Sequence, residues 1–168
     1  MRNKEIDEAA SLFGQKIIGN TIGQSAGTDN PKMLSFGAEG GRWPENALYM
    51  AHNTLINDFH AGSFVHVWSD KLAGDVDVWL LNNLMVGNGD FFRPAQGRFD
   101  GNRAVGRGEL IEQGGVPSRL TSGSPLRGAV RPPGEANEVA LLPSAEFTFP
   151  VGTRSLRVGS RLAPGAFQ

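Results

Sequence analysis

Three histidines (His52, His60 and His66) and four aspartates (Asp70, Asp75, Asp77 and Asp90) crowd the middle of the sequence. These are the side chains that would bind a metal or move a proton. The histidine spacings do not put two ligands on one helix face, and H-E-x-x-H is missing. Asp58 or Asp70 could complete a mononuclear site, yet nothing in the spacing demands one. The aspartates do not follow the D-x-D-x-D-G pattern of a calcium loop, and a carboxylate pair for glycoside hydrolysis is decided only by separation in space. Gly23-Gln24-Ser25-Ala26-Gly27 matches G-x-S-x-G. That motif needs a strand before the serine and a helix after it. Thr28-Asp29-Asn30-Pro31 opposes a helix there, so a flexible turn is expected. With no cysteine in the chain, disulfides, thiolate metal sites and thiol catalysis are excluded. Phosphate-cradling glycine motifs are absent too. No catalytic residue, metal or cofactor is assigned.

The strongest pattern is Phe64–Leu81, which reads as two short strands joined by a turn. Val65 and Val67 alternate with Phe64, His66 and Trp68. Val76, Val78 and Leu80 alternate with Asp77, Trp79 and Leu81. If the valines face a core, His66, Trp68, Asp77 and Trp79 share an outer face. Flat aromatics beside a carboxylate can stack on sugar rings and bond hydroxyls, which makes carbohydrate binding the alternative reading. The preferred reading is a strand pair buried on both faces and acting as scaffold.

Charge is uneven along the chain. Residues 1–92 hold 6 Lys/Arg against 11 Asp/Glu, whereas residues 93–168 hold 10 Arg against 6 acids. Arg93, Arg98, Arg103, Arg107, Arg127 and Arg131 stand in a segment with almost no aromatic residue for base stacking, so nucleic acid is not expected as a partner. Arginine forks also make planar, bidentate contacts at protein interfaces, and that is the role expected of these six.

The elements that must position these residues follow from periodicity. Residues 3–18 predict an amphipathic helix with Ile6, Ala9, Ala10, Phe13 and Ile17 on one face. Residues 19–44 carry many glycines and predict an extended arm or loop, with one strand conceivable at Lys32–Phe36. Glu45–Phe59 places Leu48, Tyr49, Ala51, Leu55, Ile56 and Phe59 at helical spacing after Pro44, predicting a second helix. Residues 93–138 are irregular, with short strands conceivable at Glu109–Glu112 and Leu126–Val130. Val139–Leu142, Glu146–Phe149 and Ser155–Val158 predict strands divided by proline and glycine. No internal repeat at a fixed period is found. The expected fold is mainly β, a sandwich or partly open barrel, with two short helices and long Gly/Pro-rich loops or arms.

The 168 residues, 39% hydrophobic, with 23 glycines and 10 prolines, suit one domain spanning 1–168 and rich in turns. The start lacks an apolar leader segment, and no apolar run approaches the roughly 18 residues of a membrane span. A short leading helix, the glycine-rich arm at Gly19–Gly41 and a cysteine-free β domain with loops such as Arg131-Pro132-Pro133-Gly134 together resemble bacteriophage virion structural proteins in general appearance. The resemblance implies a capsid-decorating, head–tail or tail component, made in a host cytoplasm and located in the virion. Without it, a cytoplasmic protein is expected. Segments that cannot bury themselves gain order across another chain. The expected function is therefore a non-enzymatic structural subunit whose partners are copies of itself and other structural proteins, with no membrane involved. The alternatives are a carbohydrate-binding β-sandwich and, third, a small hydrolase.

Overall fold

The computed structural model describes residues 14–41, 43–60, 62–91, 96–156 and 159–168. The first part of the chain is a stack of coils. The first coil holds β1 (Gln15–Ile18), β2 (Thr21–Gln24) and β3 (Lys32–Phe36). The second holds β4 (Glu45–Ala51), β5 (Thr54–Asn57) and β6 (Ser63–Val67). The third begins with β7 (Asp75–Leu81) and β8 (Leu84–Gly87), and the fourth consists of β9 (Arg98–Asp100) and β10 (Arg103–Val105). Strands pair in parallel from coil to coil, in the orders β1-β4-β7-β9, β2-β5-β8-β10 and β3-β6. A parallel bridge from Ser63 to Asp90 carries the third row into the third coil. This is a parallel β-solenoid, in which each coil contacts only its neighbours.

Register places like residues in inward rows. Ile17, Met50, Leu80 and Phe99 are successive partners in the first sheet, and Ile22, Leu55, Met85 and Ala104 in the second. Leu34 pairs with Val65, and Phe36 with Val67, in the third. Apart from Ala104, which is exposed at the end of its row, these rows with Leu48, Phe64 and Val78 form the central core.

The rest of the chain folds back over the outside of the coils. It contains the hairpins β11 (Leu110–Gln113)/β12 (Val116–Leu120), β13 (Glu135–Ala136)/β14 (Val139–Ala140) and β15 (Ala145–Phe147)/β16 (Thr153–Ser155). Leu110, Leu120 and Ala163 cover Ile56, Leu84 and Val86 on the outer face of the second sheet. Ala136 and Leu141 cover Tyr49, Ala51 and Leu81 on the first.

The mainly β expectation holds, but the helix expected at Glu45–Phe59 does not form. Glu45–Phe59 is β4, a corner and β5, because both strands are apolar on both faces, one toward the core and one under the tail. Two-sided burial erases the alternation of period two and leaves a run that mimics helical spacing. Of the helix expected over 3–18, residues 3–13 lie outside the described residues, and Gln15–Ile18 is β1. Instead of a sandwich or barrel, the main sheets are parallel rows of a coil. The two strands within Phe64–Leu81 form, but they do not pair: β6 joins β3 and β7 joins β4 and β9. A short 3-10 turn at Ser69–Lys71 carries the chain between the two sheets. The arm at 19–44 supplies two strands of the first coil, β2 as well as the expected β3. Of the short strands expected in the second half, Leu126–Val130 contributes only an isolated bridge from Val130 to Leu162.

Candidate functional site

Every coil turns from its first to its second strand through one dipeptide. Gly19-Asn20, His52-Asn53, Asn82-Asn83 and Gly101-Asn102 all place the leading residue at positive φ, between 53° and 70°. Glycine and asparagine tolerate that region, and it swings the following asparagine inward. The four asparagines stack into a ladder. The Asn20 amide donates to Asn53 Oδ1 at 3.0 Å, that of Asn53 to Asn83 Oδ1 at 3.0 Å, and that of Asn83 to Asn102 Oδ1 at 2.9 Å. Each Nδ2 also donates back to the carbonyl three residues before the previous rung. Asn53 reaches Ile17 at 2.8 Å, Asn83 reaches Met50 at 3.0 Å, and Asn102 reaches Leu80 at 2.5 Å. Asn20 instead turns its Nδ2 to its own coil's Ile18 carbonyl at 3.0 Å.

These dipeptides are an internal repeat, seen in Ile17-Ile18-Gly19-Asn20-Thr21-Ile22 and Met50-Ala51-His52-Asn53-Thr54-Leu55. Successive asparagines are 33, 30 and 19 residues apart. Unequal coil lengths hide the repeat from a search at fixed period.

The C-terminal segment straps the outside of these corners. The Gly165 amide donates to the Asn82 carbonyl at 2.8 Å, and the Ala166 amide to Thr54 Oγ1 at 3.0 Å. The buried His52 ring stands 3.1 Å from Asn82 Nδ2 and 3.3 Å from Gln168 Nε2. Burial holds its imidazole well below the ordinary 6.5, at about 4, against the opposing pull of backbone groups at Gly165 and Ala163. Beneath the strap, Glu146 is only 2% exposed. Its carboxylate accepts from Arg119 at 2.6 Å, from Arg154 and from the Gln168 amide at 3.0 Å. Burial works to raise its pKa. The Gln168 amide and the two guanidiniums outweigh that and hold it below the ordinary carboxylate value.

An apolar cleft of about 390 Å³ opens beside the first corner, lined by Gly19, Asn20, Thr21, Val116, Phe147 and Phe149 with Ala166 and Phe167. Phe147 and Phe149 are 48% and 51% exposed and meet edge to face at 6.2 Å. A more polar cleft of about 240 Å³ at the other end includes Arg98, Asp100, Arg103 and Arg131.

The sequence-expected residues divide between places. His66 and Trp68 lie on the third sheet, stacked at 4.3 Å, with Lys71 Nζ 4.3 Å and Lys32 Nζ 5.3 Å from the indole centre. The Trp68 Nε1 is buried with no hydrogen-bond partner among the described residues. Asp77 and Trp79 lie on the first sheet, where the indole donates to Asp77 Oδ1 at 2.8 Å. The four therefore do not share one outer face, because the chain changes sheet between β6 and β7. Around Trp79 the register aligns Lys16, Tyr49, Trp79 and Arg98 in one outward row. Tyr49 meets Trp79 edge on at 5.1 Å, and Arg98 lies 5.0 Å above its ring. Burial first, and the Asp77 charge second, push the Tyr49 hydroxyl up.

Of the six arginines, Arg93 lies outside the described residues. Arg98, Arg103 and Arg131 line the polar cleft. Arg107 pairs with Asp58 at 2.5 Å and Glu112 at 3.5 Å on the surface. Arg127 donates to the Leu120 carbonyl at 3.1 Å. Ser25 sits in an exposed turn after β2, with no helix following it. Among the described residues no three His, Asp or Glu side chains stand together as a metal site, and no helix is long and apolar enough to cross a membrane.

The sequence reading missed the asparagine ladder, Glu146, Gln168 and the Phe147/Phe149 cleft. The ladder alone left a signal, an asparagine preceded by a residue suited to positive φ and, in the first three coils, by two apolar residues before that. Compared with known proteins, the chain matches no family model, no curated protein and no solved structure.

Proposed function

We propose that the chain is a non-enzymatic structural subunit of a larger protein assembly, a virion component being the setting its sequence resembles. One contrast carries this reading. In the second coil the inward residues Met50, Leu55, Val65 and Val67 are buried. Their register partners in the first coil, Ile17, Ile22, Leu34 and Phe36, stay only half-buried. Among the described residues β1, β2 and β3 pair on one side alone. Exposed parallel edges with apolar residues between them are a surface that takes a protein partner. The two indoles lend less support to a glycan surface, because His66, Lys32 and Lys71 surround Trp68, while Tyr49 and Arg98 flank Trp79.

The test is purification from the natural source, followed by size-exclusion chromatography with light scattering. Recovery in a complex, with itself or with other proteins, is expected. A protein recovered only as an isolated monomer would overturn the reading.

A further inference from the structure

The ladder is unfinished at both ends, and each end carries what the other lacks. Internal rungs follow one rule: the amide N–H and Nδ2 of one asparagine both donate to Oδ1 of the next. Asn53 does this to Asn83 at 3.0 and 2.9 Å, and Asn83 does it to Asn102 at 2.9 Å for both bonds. At the first coil, Asn20 Oδ1 accepts nothing among the described residues, and the side chain is exposed. At the fourth, the Asn102 amide and the second Nδ2 hydrogen have no acceptor among the described residues. That Nδ2 makes only the bond to Leu80. The apolar rows end the same way, with half-buried Ile17 and Ile22 at one end and half-buried Phe99 and exposed Ala104 at the other.

We infer that the fourth coil of one copy stacks on the first coil of a second copy, continuing the parallel sheets and the ladder head to tail. Asn102 then donates to Asn20 Oδ1 of the next copy, as Asn83 donates to Asn102. Asn20 Nδ2 turns from Ile18 to the Phe99 carbonyl, which stands three residues before Asn102 as Met50 does before Asn53. The second copy is the occupant because this chain's own far end presents the matching donors in the matching register. Such a contact is heterologous and builds a filament rather than a closed dimer. This rests on the structural-subunit reading and adds its partner and polarity.

Two blocking substitutions test the polarity by sedimentation velocity over a range of concentrations. Ile22→Lys places a charge on the first-coil end, and Ala104→Lys places one on the fourth. The native chain is expected to form a concentration-dependent series of oligomers. Each variant alone should be monomeric, and their equimolar mixture should form a dimer and nothing larger. Asn20→Ala, at an exposed position, should keep the native thermal transition while weakening association about tenfold, from the loss of ladder bonds across the contact. If Ala104→Lys still self-associates while Ile22→Lys does not, the contact is head to head and the inference fails. It fails equally if the native chain is monomeric at every concentration. Should that monomer nonetheless be recovered from its source with a different protein, the structural reading stands and only the second-copy partner is lost.

Discussion

Asn83 Oδ1 accepts both the backbone amide and the side-chain amide of Asn53, at 3.0 and 2.9 Å, inside a corner that no solvent reaches. One oxygen thus satisfies two buried donors, and the Asn83 side chain passes the same arrangement on to Asn102. Removing it leaves the Asn53 backbone amide without its acceptor, leaves Asn53 Nδ2 with the Ile17 carbonyl alone, and takes one donor from the Met50 carbonyl, in an interior where each such loss is expensive. Asn83→Ala should cost about 3 to 5 kcal/mol, and Asn83→Asp should cost no less, because a carboxylate cannot donate onward. At the exposed end, Asn20→Ala should cost under about 1 kcal/mol. Urea unfolding of the three variants checks the gradient, and equal costs at both positions would refute it.

His52 gives the corner a pH dependence. Its imidazole titrates at about 4 in the folded chain, against 6.5 ordinarily, because it is buried between Asn82 and Gln168. In that interval the unfolded chain binds a proton that the folded chain refuses. Stability is therefore complete above pH 6.5 and falls by about 3 kcal/mol as pH drops to 4. His52→Asn keeps a residue that tolerates the positive φ and removes the titration. Its stability should be lower at pH 8 but nearly flat between pH 6.5 and 4.5, as read by denaturant unfolding at each pH.

The expected strands Lys32–Phe36, Phe64–Val67 and Val76–Leu81 all form, the last two rich in the β-branched and aromatic residues that favour strands. Pairing partners were not legible, since parallel neighbours lie a whole coil apart and no turn signals them. The apolar run over 45–59 misled because the tail hides the outer face of β4 and β5 as fully as the core hides the inner one. Glu146 was out of reach for another reason. Its partners Arg119, Arg154 and Gln168 are brought together by the tail's path, which no local spacing encodes.

Glu146 should show its own, lower window. Its folded pKa lies below the ordinary 4.5, so the stability it contributes is present above that value and is lost as pH falls through the lowered one. Glu146→Gln leaves Arg119 facing a neutral amide and weakens the tie to the C-terminal strap. A loss of about 2 to 4 kcal/mol is expected at pH 7, shrinking as the pH is taken below 4. A variant equally destabilised at pH 7 and at pH 2.5 would show that the carboxylate charge is not what holds the strap.

The Phe147/Phe149 cleft separates surface from stability. Both rings are about half exposed, so replacing either by serine forfeits only part of its burial energy, about 1 kcal/mol or less. Gly114 differs. It has φ +60, and a Cβ there would lie 1.9 Å from the Phe149 ring, so Gly114→Ala must displace that wall of the cleft as well as strain the turn between β11 and β12. Binding of an apolar fluorescent dye should therefore fall in Phe147→Ser and Phe149→Ser while their unfolding midpoints stay near the native value. Gly114→Ala should lose stability by about 1 to 3 kcal/mol and alter dye binding together with it. Dye fluorescence unchanged in all three would mean that the cleft does not form an apolar surface in solution.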